Sequence, residues 1–114
     1  MSLSKDQILA VNDLGLLEVP VKEWGGSVFI RVMSVGERDA YEREWIGKRE
    51  TGVENFRAKF LQRVLCDDAG KLLFSAEETS ALAGKSARVM ASLWDQAMKH
   101  NALLAGDVEE LAKN

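Results

Sequence analysis

The sequence predicts an α+β fold: an N-terminal β-hairpin packed on a mainly α-helical body of four to five helices. Three observations carry this reading. Val, Ile and Phe alternate on either side of Gly25-Gly26, the pattern of two half-buried strands joined by a tight turn. Capping signals recur along the chain. Two long stretches also repeat apolar residues at helical spacing.

The capping signals set the helix starts. In a capping box, a Ser or Thr hydroxyl and a Glu or Gln three residues later each satisfy one of the other's free backbone N–H groups. Ser4 with Gln7, Ser34 with Glu37 and Ser75 with Glu78 fit this pattern, and Asp107 with Glu110 is a looser version. They place helix starts near residues 5, 35, 76 and 108. A further helix is expected from Val53, where Gly52 interrupts the preceding pattern. The chain then divides into a short N-terminal helix in 1–15, a hairpin in 16–34 and a helical body in 35–114, all one domain. A chain of 114 residues suits one modest core.

In the hairpin, a two-residue turn at Gly25-Gly26 pairs Trp24 with Ser27, Val21 with Ile30 and Val19 with Val32. One face then gathers Val19, Val21, Val28, Ile30 and Val32 and belongs on the helices. Pro20 cannot donate to a ladder, which puts its strand at an edge. The opposite face carries Trp24, Phe29 and Met33 among charged residues, with Trp24 and Phe29 as diagonal neighbours. Aromatic surface is left over there.

The next helix, "ERDAYEREWIGKRE", is mostly charged and carries one narrow apolar stripe, Tyr41 and Trp45. Asp39–Arg43 and Glu44–Lys48 are spaced for favourable i,i+4 pairs. "VENFRAKFLQRVLC" gives one continuous helical face: Val53, Phe56, Phe60, Leu61, Val64 and Leu65. "DDAG" reads as a turn, followed by an extended Leu72–Phe74. In "KSARVMASLWDQAMKHNALL", Met90, Leu93, Trp94, Ala97, Asn101 and Leu104 share one side.

Chemistry is scarce. The single histidine, His100, falls late in a helix, where it suits the C-terminal dipole. The single cysteine, Cys66, follows an apolar face, excludes an internal disulfide and fits a reducing compartment. Gly84-Lys85-Ser86 imitates the end of a phosphate loop, but the position needing glycine is Thr79. One histidine and one cysteine leave a zinc site short of ligands. No catalytic residue, metal ligand or cofactor site emerges, and the reading is a non-enzyme. With 15 basic and 18 acidic residues, balanced in both halves, the chain has no basic footprint for nucleic acid. It contains no apolar run of membrane-spanning length. Trp24, Phe29, Met33, Tyr41 and Trp45 remain as candidate contacts for a protein partner.

The order of these segments resembles a known family. "DQILAVNDL", "LEVPVKEWGGSVFIRVM", the helix start Gly36 to Glu42, "FRAKFLQRVLCDDAGKLLFS", "SALAGKSARVMASLWDQAMKHNAL" and "GDVEELAKN" follow one another as in the tail assembly chaperones of long-tailed bacteriophages, in the subgroup with a hairpin ahead of the helices. The resemblance implies a chaperone that binds the tail tape-measure protein, keeps it soluble and helps recruit tail-tube protein. It implies work in the cytoplasm of the bacterial host and absence from the mature virion. It also implies self-association into a homo-oligomer and a longer form made by ribosomal frameshifting near Ala112-Lys113-Asn114. Two other readings compete: a structural head–tail or tail component retained in the virion, and a small DNA-binding regulator resting on six arginines between Arg31 and Arg63.

Overall fold

The three expected capping boxes at Ser4, Ser34 and Ser75 all form, and each starts a helical segment. The computed structural model describes residues 2–46, 48 and 54–102. The expected helix start at Val53, the terminal helix near 108, Leu104 and the slippage site at 112–114 lie outside them. The elements are α1 (Lys5–Ala10), β1 (Leu16–Val21), β2 (Gly26–Arg31), α2 (Val35–Arg43), α3 (Phe56–Gln62), β3 (Leu65–Cys66), α4 (Thr79–Leu82) and α5 (Ala87–His100). This is the expected α+β arrangement, with a hairpin and five helices among the described residues.

The hairpin forms in a different register. Lys22–Trp24 coil into a 3₁₀ turn closed by the Gly25 N–H donating to the Lys22 carbonyl at 3.1 Å, with Gly25 at φ 73°. Only glycine takes that left-handed backbone without steric cost. Four residues therefore connect the strands instead of two. Val19 pairs with Val28, Leu17 with Ile30 and Val21 with Gly26, each partner four positions earlier than expected. A displacement by an even number leaves every side chain on its face. Val19, Val21 and Ile30 are accordingly buried, and Val28 packs against the core.

The sheet gains a strand that the sequence concealed. Leu65–Cys66 reads as the end of a helical face, yet it pairs antiparallel with β2 through Phe29–Cys66 and Ile30–Leu65. The sheet order is β1-β2-β3. Leaving β2 unpaired would strand buried backbone groups, and tertiary pairing outweighs helical spacing here. The Arg31 N–H donates to the Val64 carbonyl at 2.9 Å, and the Leu73 N–H to the Leu65 carbonyl at 3.1 Å. The turn at Asp67–Gly70 forms as expected: the Asp67 carboxylate accepts from the Ala69 and Lys71 N–H groups.

α5 holds this assembly together from one end. Met90, Leu93 and Ala97 bury its expected face, while Ser86 caps it, accepting from the Val89 N–H at 3.4 Å. At its C-terminal end Asn101 is buried. Its side-chain oxygen accepts from the Met33 N–H at 2.7 Å, and its amide donates to the carbonyls of Arg31 (3.2 Å) and Ala97 (3.0 Å). One residue earlier, the His100 ring Nε2 lies 2.9 Å from the Gly15 carbonyl. Both ends of the hairpin are thus tied to the last turn of α5.

Asn101→Ala is expected to leave the Met33 N–H and the Arg31 carbonyl buried without that partner. Each such orphan costs about 1–3 kcal/mol. Urea unfolding should show a lower midpoint with an unchanged slope, and an unchanged midpoint would remove Asn101 from this role.

Candidate partner-binding surface

Three of the five candidate contacts belong to the chain's own interior. Tyr41 is 1% exposed, Met33 5% and Trp45 8%. Tyr41 and Trp45 are two members of an aromatic cluster that binds α2, α3 and α5 together. Tyr41 packs against Phe60 with the rings tilted by 46° and their centres 5.4 Å apart, and Trp45 meets Phe56 edge-on at 5.5 Å. Trp94 of α5 meets Phe56 at 5.5 Å and Phe60 at 5.1 Å, also edge-on. Such contacts each add about 0.5–1.5 kcal/mol beyond burial. Burial pushes the Tyr41 hydroxyl up to about 12. The narrow stripe on a charged helix is a core stripe.

The remaining two candidates are half-buried. Trp24 sits in the 3₁₀ turn, outside the strand ladder, so it is not the cross-strand neighbour of Phe29 that the sequence suggested. It packs against the core, and the Lys85 ammonium lies 5.9 Å from its ring centre. Phe29 stands opposite Glu18 on one side and Cys66 on the other, and its carbonyl accepts from the Cys66 thiol at 3.5 Å. Cys66 is buried, and that burial raises its thiol above the ordinary value of 9.0.

Larger apolar surface is exposed elsewhere, at aliphatic positions outside the five sequence-predicted contacts. α1 buries none of its six residues. Ile8, Leu9 and Val11, with Leu3 just before the helix, lie open, Leu9 at 75%. Leu16 and Leu17 continue that exposure into β1, and Val35, Ile46 and Leu73 add single positions. The sequence did hold a signal: "QILAV" is too apolar for a solvated helix, and six residues cannot stabilise a helix alone.

Charges around α2 are arranged for structure. The expected Asp39–Arg43 and Glu44–Lys48 pairs do not form among the described residues. Arg38 pairs with Glu42 at 2.9 Å, and Glu44 reaches across to α3, accepting from Lys59 at 3.1 Å and Arg63 at 2.6 Å. Arg31 pairs with Glu37. Burial alone would raise the Glu37 and Glu44 carboxyls. Hydrogen bonds from Ser34 with the Arg31 charge at Glu37, and the Lys59 and Arg63 contacts at Glu44, outweigh it and hold both below the ordinary 4.5. Among the described residues, no group of three or more His, Cys, Asp or Glu is placed to hold a metal ion, and no helix is long and apolar enough to cross a membrane.

Hairpin, aromatic clamp and uncovered N-terminal helix together define a small α+β protein. No protein-family profile matches the chain, and no curated protein matches it with significance. The fold, however, is that of a solved structure, the bacteriophage HK97 tail assembly chaperone. The two superpose with a TM-score of 0.57 at 23% sequence identity, over 88% of this chain and 92% of that one.

Two measurements check these assignments. Tyr41→Ala is expected to lose about 3–5 kcal/mol of stability, as other large aromatic deletions from a core do. Ile8→Ser with Leu9→Ser should stay within about 0.5 kcal/mol per site, as surface changes do. Acid unfolding tests the carboxylates. Because the folded values are depressed, their contribution is complete above about 4.5 and is lost as pH falls through the folded values. The gap in urea midpoint between the native chain and Glu44→Gln should therefore shrink below pH 4.5. A gap that is constant from pH 7 to 3 would refute the linkage.

Proposed function

We propose that this protein is a tail assembly chaperone of a long-tailed phage, a binding protein rather than an enzyme. Its client is the tape-measure protein, which it keeps soluble while tail-tube subunits are recruited. The observation that carries the reading is the fold shared with the HK97 chaperone across most of both chains. The ordered segment resemblance in the sequence supports the same conclusion independently of any single motif.

The uncovered surface suits the task. A chaperone of a long apolar-striped client needs apolar contacts within a polar surround, strong enough to hold and weak enough to release. Ile8 and Leu9 on α1 and Val11 at its C-cap, with Trp24 and Phe29 at the hairpin, are the proposed contacts. Met33, Tyr41 and Trp45 act indirectly, by holding the frame on which that surface stands. The same reading places the protein in the host cytoplasm, outside the finished virion. It adds self-association and a frameshifted longer form as further members of the assembly.

Co-expression with the tape-measure protein of the same phage genome tests the proposal. The client should be soluble and co-purify with the native chain. It should be recovered at least severalfold less with Ile8→Ser/Leu9→Ser, a variant expected to keep its stability. A client that aggregates equally with and without the native chain, or this protein found in purified virions, would overturn the reading.

A further inference from the structure

β1 is an edge strand, and its neighbours show which of its backbone groups face outward. The Arg31 N–H donates to the Val64 carbonyl, and the Phe29 carbonyl accepts from Cys66, so both residues turn their backbone groups away from β1. Leu16 stands opposite Arg31 and Glu18 opposite Phe29, which directs the N–H and C=O groups of Leu16 and Glu18 out of the sheet. Neither N–H has an acceptor among the described residues. The opening is bounded at both ends. Pro20, the next outward residue, has no N–H, and the Leu14 N–H is turned back onto the Asn12 side chain at 3.2 Å. Between Leu16 and Glu18, Leu17 shares the inner face with the buried Val19 and Val21, yet it is 36% exposed. An open edge of this kind is a template for another strand.

We propose that this edge pairs with the same edge of a second copy, antiparallel and centred on Leu17. In that register Leu16 of each copy stands opposite Glu18 of the other, and the two pairs exchange four backbone hydrogen bonds. Every open group of Leu16 and Glu18 is then used. Leu14 faces Pro20 of the second copy, and neither has an N–H to offer, so nothing is left orphaned. The neighbouring registers are poorer. Centring on Glu18 sets like charges directly opposite one another. Centring on Leu16 turns the Glu18 carbonyl toward Leu14, whose N–H is already engaged. The Leu17 register also brings the two Leu17 side chains together on the inner face, in the close non-hydrogen-bonded position with Cα atoms ~4.5 Å apart. Each covers the other's exposed surface. On the outer face the two Glu18 carboxylates lie diagonally across the seam, and their like charge keeps the pairing weak enough to reverse. The pairing gives the self-association of the proposed function an interface, and its failure leaves the co-expression test of that function untouched.

Disulfide trapping and hydrogen exchange test it. A Cα separation of ~4.5 Å is within the span of a disulfide. Leu17→Cys should therefore join two chains at position 17 under oxidised glutathione, as mapped by mass spectrometry, while the buried Cys66 stays reduced. Leu9→Cys, at a more exposed position, measures random collision, and the Leu17→Cys product should form at least tenfold faster. In the native chain, exchange of the Leu16 and Glu18 amides should slow at least fivefold from micromolar to millimolar protein. Glu18→Gln should lower the dimer dissociation constant severalfold in sedimentation equilibrium, because it removes the like charge. Leu17→Cys chains that join no faster than Leu9→Cys chains would overturn the register. Leu16 and Glu18 amides that exchange freely at every concentration would overturn the pairing. So would amides equally slow at every concentration, which would mean an edge covered within one chain.

Discussion

The fold depends on one side-chain amide. Asn101 meets the exit of the hairpin as a strand would, accepting from the Met33 N–H and donating to the Arg31 carbonyl. Beyond Ile30 the sheet has no third strand to offer β2, and backbone groups buried there need partners of some kind. A carboxamide carries its donor and its acceptor on separate atoms, so it can meet an N–H and a carbonyl at once. Its amide also donates to the Ala97 carbonyl within α5, and that bond fixes the group's orientation toward the hairpin. His100 beside it reaches the Gly15 carbonyl at the hairpin's entry. Two consecutive residues at the end of one helix therefore set where a segment some 70 residues earlier begins and ends.

The second constraint is scarcity. A chain of this length hides only about 65% of its unfolded surface, so each large side chain matters to the core. Tyr41, Trp45, Phe56, Phe60 and Trp94 form one aromatic cluster, and the aliphatic core of α3 and α5, with Leu61, Met90 and Leu93, belongs to the same interior. Glu44, Lys59 and Arg63 close the same α2–α3 joint from the polar side. The joint is thus doubly specified, apolar within and ionic at the rim. With those five aromatics committed there, the largest group of exposed apolar residues among the described ones, from Leu3 to Leu17, is aliphatic and lies at the N-terminus.

What was legible in the sequence follows from the range of each interaction. The capping boxes at Ser4, Ser34 and Ser75 are local, needing only residues three apart, and all three form as read. The buried face of the hairpin was legible because strand periodicity fixes which side chains share a face. Its register was not, since that depends on whether the chain turns in two residues, Gly25-Gly26, or in four, Lys22–Gly25. Leu65–Cys66 was hidden for a different reason: a two-residue strand continues a helical apolar face without contradiction, and only the unpaired edge of β2 distinguishes them. The candidate contacts suffered the same ambiguity. Tyr41 and Trp45 four apart on a charged helix look identical whether the stripe meets another chain or the chain's own α3. Phe56 and Phe60, which decide it, come from elsewhere in the sequence.

A short exposed helix is also a physically suitable instrument for temporary binding. Burying a side chain such as Ile8, Leu9 or Val11 fully is worth about 1.5–3 kcal/mol. Against that stand the loss of translational freedom and the ordering of each immobilised side chain, about 0.5–1.5 kcal/mol apiece. Three or four aliphatic contacts do not offset these costs alone, so they supply a modest and readily reversible share of a wider interface. A buried aromatic cluster presented outward would hold far harder. By turning the Tyr41, Trp45, Phe56, Phe60 and Trp94 cluster inward and the aliphatics of α1 outward, the proposed chaperone would separate the stability of its fold from the strength of its grip. The proposed chaperone can release its client without weakening itself.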